Sequence, residues 1–402
     1  MIAVAHLSAA HFAQEVAIAL GEGGEEVRFL TTLTPDGGDL AAAVLRLSGD
    51  SNRRRLDPLL KNKTLTYPWR ELVRLIDGKL SRDEIRRDRI FHWALDGFDA
   101  WAAKQMKPPV RMVYGYETQC LKTFTAARER GIRTVLDLPS PEHDYVENLL
   151  SAEYRKFPEL LTPAKKYFRS LQRERTARRH REFELADIVV ANSSFTAKTW
   201  EASGLDGSKI RVVTLGGPPP EPRGLDGGTK GNGPLRLVWA GTFSVRKGAH
   251  YLLEAWRGWN PGKAAVLDVF GSVALPDSLM KDLPENVVLH GPVARQRVLD
   301  EFVRGDLLVF PTLCDGFGLV VLEAMSRGLP VLTTTQAGAG DLVENRVNGL
   351  VVEAASADRL AEALQSAADN RDELGMMRAD ALKTAEANQW KDYGAKLRKA
   401  IL

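Results

Sequence analysis

The sequence predicts an α/β protein of two domains joined by a linker. Strand-length apolar runs alternate with helical segments from residue 2 onward, and the same alternation restarts at residue 235. Between the two units, residues 216–234 are rich in proline and glycine, which sustain neither a helix nor a central strand. A chain of 402 residues is long enough for each domain to bury its own core.

The first half shows the strand and helix signals of a parallel sheet. Strands are predicted at residues 2–7, 27–32, 110–116, 132–138, 187–191 and 210–215, with helices at 12–20 and up to Arg130. Ser193 has the position of a helix N-cap. Residues 36–99 contain charged helical stretches and isolated aromatic residues, and their pattern assigns no regular arrangement.

The second half repeats this alternation. Strands are predicted at residues 235–240, 264–270, 286–289, 307–311, 331–335 and 349–352. Helices are predicted at 338–345, 356–368 and, as a short last element, 388–397.

The stretch from Leu307 to Thr335 carries the main chemical signal. A strand ends at Pro311, a loop contains Asp315, Gly316 and Gly318, and a helical segment follows. Glycines allow close approach of backbone to a ligand, and free N–H groups at a helix start attract anions. Asp315 and Glu323 add hydrogen-bond acceptors suited to sugar hydroxyls. This pattern predicts a phosphate-binding site with acceptors for a sugar on one side and for a ribose on the other.

A second signal follows the strand at residues 235–240. Arg246 and Lys247 come shortly after Gly241 and directly before Gly248. An arginine forks across two oxygens and a lysine supplies a point charge, so the pair suits a diphosphate. Without an anion, two cations at a helix start are unfavourable.

The pattern Asp-Gly-Phe-Gly-Leu-x-x-Leu-Glu-Ala-Met-x-x-Gly-x-Pro-Val, residues 315–331, resembles the donor signature of glycosyltransferase family 4. The resemblance implies the GT-B fold: two Rossmann-like domains with the reaction in the cleft between them. It assigns an acceptor domain at 1–215, a linker at 216–234, a nucleotide-sugar domain at 235–385 and a helix at 386–402 that crosses back to the first domain. This chain departs from the family pattern at Asp315, where the family usually has Glu, and at Thr242, where many members have Arg.

The same resemblance implies a site. His143 matches a histidine that faces the transferred sugar in relatives, and the loop at Ser8 and His11 matches their acceptor loop, although it lacks glycine. The expected catalytic residues are His143, Arg246, Lys247 and Asp315. The expected donor-binding residues are Gly241, Thr242, Arg246, Lys247, Asp315, Gly316, Phe317, Gly318, Leu319 and Glu323. The expected acceptor-binding residues are Ser8, His11 and His143.

The resemblance also implies the reaction, which is transfer of a sugar with retention from a nucleotide-diphosphate sugar to a saccharide or lipid-linked acceptor in polysaccharide or glycolipid biosynthesis. No cofactor and no obligatory metal are expected, and the chain lacks the Asp-x-Asp that other glycosyltransferases use to hold a divalent ion.

Composition and charge restrict the binding partners and the cellular compartment that we expect for this protein. The net charge is +3, and the two cysteines, Cys120 and Cys314, lack metal or redox spacing, which favours a cytoplasmic protein with reduced thiols. No basic leader or membrane-span-length window is evident. The basic segment 165–181 is either a solvated helix face or a peripheral contact with anionic lipid at the inner face of the membrane. Nucleic-acid binding is not expected.

Three alternatives remain beside the transferase. A phosphorylase or sugar-nucleotide epimerase uses the same scaffold, but a phosphorylase needs a further phosphate or cofactor site, which the sequence does not show. A catalytically silent sugar-nucleotide-binding or scaffold subunit has Asp315 as its only indication. A dinucleotide oxidoreductase is disfavoured because no Gly-x-Gly-x-x-Gly follows a strand.

Overall fold

The computed structural model describes residues 1–35, 43–45, 54–221 and 233–402. The strands are β1 Ile2–Ala5, β2 Val27–Thr31, β3 Thr64–Thr66, β4 Met112–Tyr116, β5 Arg133–Leu138, β6 Ile188–Ala191, β7 Ile210–Val212, β8 Leu235–Ala240, β9 Phe243–Ser244, β10 Ala265–Phe270, β11 Val273–Ala274, β12 Val287–Gly291, β13 Leu307–Phe310, β14 Val331–Thr334 and β15 Gly349–Val352.

The helices are α1 His11–Glu22, α2 Trp69–Leu80, α3 Glu84–Ala103, α4 Leu121–Glu129, α5 His143–Lys156, α6 Pro163–Ser170, α7 Gln172–Leu185, α8 Ser194–Glu201, α9 Ala249–Trp259, α10 Asp277–Met280, α11 Arg295–Arg304, α12 Leu319–Met325, α13 Ala357–Asp369, α14 Arg371–Glu386 and α15 Trp390–Ile401. Short 3₁₀ helices occur at Pro58–Lys63, Pro158–Leu160, Gly207–Lys209, Gly262–Ala264 and Gly338–Leu342.

The first sheet is parallel, with the strand order β3-β2-β1-β4-β5-β6-β7. Strand β1 pairs with β2 on one side and with β4 on the other. The chain therefore changes direction across the sheet between β1 and β4, and a crevice opens there at the carboxyl ends of the strands.

The second sheet repeats this plan, with the order β12-β10-β8-β13-β14-β15. Strand β8 pairs with β10 and with β13, so its switch point lies between β8 and β13. The short parallel ribbon β9–β11, which the sequence did not predict, stands beyond β8 and β10. Together the two parallel sheets form two Rossmann-like domains.

Buried apolar side chains cover both faces of each sheet. In the first domain one cluster contains Val4, Phe29 and Tyr114, and the last helix joins it through Tyr393 and Leu397. Helix α15 thus packs on the first domain although it follows the second in sequence. Strands buried on both faces read as continuous apolar runs, which is why their pattern in the sequence is strong.

The two domains also share a buried surface at the end of α5. Tyr154 packs in the same cluster as Leu252 and Trp256 of the second domain. The buried carboxylate of Glu153 accepts a hydrogen bond from His250 Nε2 at 3.0 Å, across the domain boundary.

Several elements differ from the sequence prediction. The helix predicted at 338–345 is a 3₁₀ segment, and the single basic helix is two helices, α6 and α7, separated at Leu171. The described part of 36–99 contains β3 and the hairpin of α2 and α3. Ser193 caps α8 as predicted, accepting from Thr196 N at 3.1 Å. Much of the predicted linker, at 222–232, lies outside the described residues.

Candidate functional site

The strongest candidate site lies at the switch point of the second sheet. The loop that begins at Gly241 follows β8, and the loop that carries Asp315 follows β13. Because β8 and β13 are neighbouring parallel strands, both loops leave the same edge of the sheet. Lys247 and Asp315, which belong to the two sequence motifs and lie 68 residues apart in the chain, are therefore neighbours in the fold.

Gly241 is a position where the backbone requires glycine. Its φ is +122°, and its carbonyl accepts a hydrogen bond from Trp239 Nε1 at 3.1 Å. A Cβ on Gly271 would lie 2.0 Å from the same carbonyl, so the loops after β8 and β10 touch backbone to backbone. Thr242 follows as an exposed residue of this loop.

The loop with Arg246 and Lys247 is fastened to the end of β13. The carbonyl of Arg246 accepts from Leu313 N at 2.9 Å and from Thr312 Oγ1 at 3.2 Å. Gly248 has a φ of +76°, and a Cβ there would lie 2.0 Å from the carbonyl oxygen of Pro311. These contacts fix the two cations relative to the Asp315 loop.

Lys247 and Asp315 form a close ion pair at this junction. The Lys247 ammonium lies 2.6 Å from Asp315 Oδ2, and the two side chains are 18% and 14% exposed. It also lies 4.8 Å from the centre of the Phe310 ring. Arg246 NH1 lies 3.9 Å from the same carboxylate oxygen and donates to the carbonyl of Cys314 at 3.1 Å. The structure thus places two cations and one carboxylate in a single, partly accessible cluster.

The glycines of the Asp315 loop have two different roles. Gly318 has a φ of +89° at the start of α12 and lies against the ring of Phe310. Gly316 instead meets the first domain, because a Cβ there would lie 2.0 Å from the carbonyl oxygen of Pro139. Between them Phe317 is buried, and its carbonyl accepts from Ala339 N at 2.6 Å. Leu319 follows as the first residue of α12.

The first domain holds the carbonyl of Gly316 through the start of α8. Ser193 Oγ donates to this carbonyl at 2.6 Å and Thr196 Oγ1 at 3.2 Å. Nearby, the carboxylate of Asp341 accepts from Ser194 N at 2.8 Å and Ser194 Oγ at 2.6 Å. The loop of Asp315 is therefore part of the contact between the two domains, which sequence reasoning missed.

Glu323 lies on α12 and pairs with a residue that the sequence did not single out. Its carboxylate accepts from Arg295 Nε at 2.8 Å. Arg295 begins α11, four residues after β12 ends at Gly291. Arg295 is close enough to the first domain to help lower the pKa of His11, although burial of that imidazole is the larger cause.

The expected acceptor loop lies at the switch point of the first sheet. Leu7 N donates to Gln119 Oε1 at 2.7 Å, which ties the loop after β1 to the loop after β4. Ser8 N donates to His6 Nδ1 at 3.1 Å, and His11 begins α1 with its ring 5.2 Å from that of Trp390. Ser8 and His11 are thus at the crevice edge of the first domain.

His143 begins α5, and its hydrogen-bond partner lies within the first domain. Its Nδ1 is 2.7 Å from Thr176 Oγ1. Burial, reinforced by the nearby Arg179, lowers the pKa of His143 to about 4, so the imidazole is neutral at pH 7. No described contact joins His143 to Lys247 or Asp315.

A cavity of about 490 Å³ lies beside His143. Its lining combines cationic, polar and acidic groups: Asp144, Arg169, Ser170, Gln172, Arg173, Thr176, Ala177 and His180. Asp144 accepts from Gln172 Nε2 and Thr176 Oγ1, each at 2.8 Å. In the sequence, the only indication of this cavity was the high density of Lys and Arg in the segment 165–181.

Several cations of the segment 165–181 are bound inside the first domain. Arg175 pairs with Asp88 at 2.6 Å, Arg178 with Asp99 at 2.9 Å and Arg179 with Glu117 at 2.6 Å. The carboxylates of Asp99 and Glu182, both buried, accept from backbone N–H groups at the start of α4. Helix α7 is therefore an ion-paired scaffold element rather than a freely solvated basic face.

The described residues contain no group of three or more His, Cys, Asp or Glu side chains placed to hold a metal ion. Both cysteines are free and buried, and burial raises the pKa of Cys314 to about 11. Within the parts of the chain that the structure covers, no helix has the length and apolar character needed to cross a bilayer.

The fold is that of the GT-B glycosyltransferases. The chain superposes on WaaG, a glycosyltransferase involved in lipopolysaccharide biosynthesis, with a TM-score of 0.61 and 16% identity over 100% of this chain and 99% of that one. It superposes on Anabaena Alr3699/HepE, solved in complex with UDP, with a TM-score of 0.60 and 14% identity over 99% and 98% of the two chains.

Residues 234–370, which lie in the second domain, match the family described as Glycosyl transferases group 1. A D-inositol 3-phosphate glycosyltransferase of Rhodococcus erythropolis is 29% identical over 225 residues, 51% of each protein. An uncharacterized 41.2 kDa protein in the cps region of Klebsiella pneumoniae is 26% identical over 192 residues, 45% of this chain and 51% of that protein. The chain thus spans about half the length of these relatives.

Proposed function

We propose that this protein is a retaining glycosyltransferase that moves a sugar from a nucleotide-diphosphate sugar to a saccharide or lipid-linked acceptor. The observation that carries the proposal is the cluster of Arg246, Lys247 and Asp315 at the switch point between β8 and β13. Crevices at such switch points are where open parallel sheets bind ligands. The family match of residues 234–370 includes all three residues.

The two cations are suited to stabilising the leaving group. When the glycosidic bond to the diphosphate breaks, negative charge develops on the diphosphate oxygens. The backbone that carries Arg246 and Lys247 is held by contacts with residues 311–313, which limits the reorganisation needed as this charge develops. Asp315 neutralises Lys247 in the structure, and a bound diphosphate would compete for the same ammonium.

The carboxylates and the imidazole are suited to binding hydroxyl groups. We assign Asp315 to the transferred sugar and Glu323 to the ribose, where Arg295 holds the Glu323 carboxylate in position. The lowered pKa of His143 suits a neutral hydrogen-bonding group rather than a proton donor. Gly241, Thr242, Gly318, Leu319 and the backbone N–H of Phe317 complete the donor surface in this proposal, with Gly316 positioning their loop against the first domain. Ser8 and His11 line the acceptor side.

The stereochemistry, the metal independence and the pathway rest on the resemblance to glycosyltransferase family 4. Structural neighbours were solved with UDP and with UDP-glucose, which makes uridine nucleotides the first donors to test. We propose a role in polysaccharide or glycolipid biosynthesis in the cytoplasm, with peripheral contact at the inner face of the membrane. The two buried free thiols are compatible with a reducing compartment.

The test is a thermal-shift screen against nucleoside diphosphates and their sugars, first without metal and then with magnesium. A ligand at a hundred times its dissociation constant stabilises the folded state by about 2.7 kcal/mol. We expect a selective shift with one base in the absence of metal. Acceptor assays with the matching sugar, with the anomer of the product read by NMR, then test transfer and retention.

A second candidate is a catalytically silent subunit that binds sugar nucleotides. The observation in its favour is that Asp315 replaces the usual Glu and is already paired with Lys247. Such a subunit would show the thermal shift but neither hydrolysis nor transfer of the bound sugar. A protein with no shift for any nucleotide would contradict both candidates.

A further inference from the structure

Helix α2 displays a stripe of large apolar side chains to solvent. Trp69 is 68% exposed, Val73 47%, Ile76 48% and Leu80 82%. Their spacing of four, three and four residues aligns them on one side of the helix, because each residue advances the helix by about 100°. Single exposed apolar residues are ordinary on protein surfaces, but a row of four that spans a whole helix is not.

This stripe is not the side by which α2 is attached to its domain. Leu72 and Leu75 are buried in a cluster with Leu33 and Leu45. The helix is also fixed through the buried carboxylate of Glu71, which pairs with Arg54 and with Arg74. Among the residues that the structure describes, the stripe is therefore apolar surface beyond the side by which α2 packs on its domain.

Aromatic surface from α3 extends the stripe at its first turn. Trp93 is 44% exposed, and the Arg70 guanidinium lies 4.6 Å from the centre of its ring. Arg70 NH1 also donates to the Trp93 carbonyl at 2.7 Å. The amphipathic rings of Trp69 and Trp93 thus stand at one end of the patch, and tryptophan is enriched where apolar and polar media meet.

The surroundings of the stripe are positively charged. Residues 57–90 contain nine Lys and Arg against six Asp and Glu, a net of +3, which equals the net charge of the whole chain. Two of the six acids, Glu71 and Asp77, are buried and paired with arginines. Among the described residues, Lys79 and Arg82 have no hydrogen-bond or ion-pair partner and stand exposed at the end of α2.

We propose that α2 is a docking surface for an anionic lipid bilayer, with Trp69, Val73, Ile76 and Leu80 inserted at the level of the headgroups. An apolar stripe bordered by Lys and Arg on a surface helix is the pattern of interfacial membrane binding. The cations complement the negative potential of anionic lipids. A second copy of this chain fits less well, because a symmetric contact would set the positive border of each copy against that of the other.

This assignment differs from the one drawn from sequence. The cations of α7 that suggested lipid binding are paired with Asp88, Asp99 and Glu117 inside the domain. The inference is independent of the proposed transfer reaction, because membrane binding is measured without donor or acceptor. A failure of one therefore leaves the other to be judged on its own test.

The experiment is co-sedimentation of the full chain with vesicles of phosphatidylcholine alone and of phosphatidylcholine mixed with phosphatidylglycerol, at low and high salt. We expect binding to the mixed vesicles that weakens but persists at high salt. The double variant Trp69→Ser/Ile76→Ser should bind at least about tenfold more weakly. The matched control is Met376→Ser, which removes an apolar side chain 69% exposed on α14 of the second domain and should bind like the wild type.

A second readout uses tryptophan fluorescence with brominated lipids. Bromine on the upper acyl chain should quench the wild type, and Trp69→Phe should lose part of that quenching while retaining binding. No binding of the wild type to anionic vesicles at low salt would overturn the proposal. So would equal binding by the double variant, or a concentration-dependent dimer that the double variant abolishes without any vesicle binding. Circular dichroism of each variant shows that the fold is intact.

Discussion

Replacing Lys247 by alanine tests the central claim about the donor site. The Lys247 ammonium lies 2.6 Å from Asp315 Oδ2 and is only partly exposed, so it acts in a region of reduced dielectric. A unit charge about 4 Å from a phosphate charge contributes about 4 kcal/mol at an effective dielectric constant of about 20. Part of this is lost because the ammonium must exchange Asp315 for the ligand, which leaves about 2–3 kcal/mol.

That energy corresponds to a ~30- to ~150-fold weaker Kd of Lys247→Ala for the nucleoside diphosphate. Turnover should fall further, because the diphosphate carries more negative charge in the transition state than in the ground state. The nucleoside without phosphates should bind both proteins about equally. Isothermal titration with the diphosphate and with the nucleoside measures both effects on the same preparations.

The matched control is Lys263→Ala. Lys263 is exposed in the 3₁₀ segment that precedes β10, at the opposite edge of the sheet from the site. It removes the same charge from the same domain and should leave the diphosphate Kd unchanged. The reasoning is refuted if Lys247→Ala binds the diphosphate within about fivefold of the wild type, or if nucleoside binding weakens equally.

Three further predictions follow from other contacts. Asp315→Asn should bind the bare nucleoside diphosphate a few-fold more tightly in titration calorimetry, because Lys247 is no longer neutralised, while sugar transfer falls. Gly316→Ala should lower the free energy of unfolding in urea by about 1–3 kcal/mol, because its Cβ would lie 2.0 Å from the Pro139 carbonyl oxygen and the domains must shift. Burial raises the pKa of the Asp137 carboxyl from 3.8 to about 7, so the wild type should lose about 3 kcal/mol relative to Asp137→Asn between about pH 5 and about pH 8.

The sign of the pH effect follows from proton binding. Between pH 3.8 and about 7 the folded chain keeps the Asp137 proton and the unfolded chain does not, so stability falls as pH rises through that window. A constant difference in stability between the wild type and Asp137→Asn across pH would contradict this assignment.

The other two predictions have refuting outcomes of their own. Weaker diphosphate binding by Asp315→Asn, or a Gly316→Ala protein as stable as the wild type, would count against them. Gly258→Ala, at a helical glycine with open space at its Cβ, is the control for Gly316.

Most of the fold could be predicted from the sequence, because its strands are buried and because the Asp315 motif resembles a known family. Continuous apolar runs such as 235–240 and 307–310 correspond to β8 and β13, because strands covered on both faces bury every side chain. The region 36–99 was unreadable for the opposite reason. Helix α2 buries Glu71 and Asp77 through ion pairs alongside Leu72 and Leu75, and it exposes Trp69 and Leu80, so polar and apolar residues occur on both of its sides.

Spacing in the sequence could not assign partners. The glycine at 316 suggested close approach of a ligand, whereas in the fold it admits the carbonyl of Pro139 from the other domain. The basic segment 165–181 suggested a free cationic surface, whereas Arg178 and Arg179 are bound to carboxylates more than 60 residues away in the chain. Local sequence records the type of a side chain but not which distant group neutralises it.

The sequence by itself determined the alternating α/β architecture and the two-domain division. It also singled out Arg246, Lys247 and Asp315 as candidate site residues. All of these follow from local periodicity and residue chemistry. Only the tertiary structure decided that Lys247 and Asp315 form one ion pair, that the Asp315 loop also binds the first domain, and that α2 turns an apolar stripe to solvent. The reason is that each of these depends on strand order and on packing between segments far apart in the chain. Neither of these is encoded in any short window of residues.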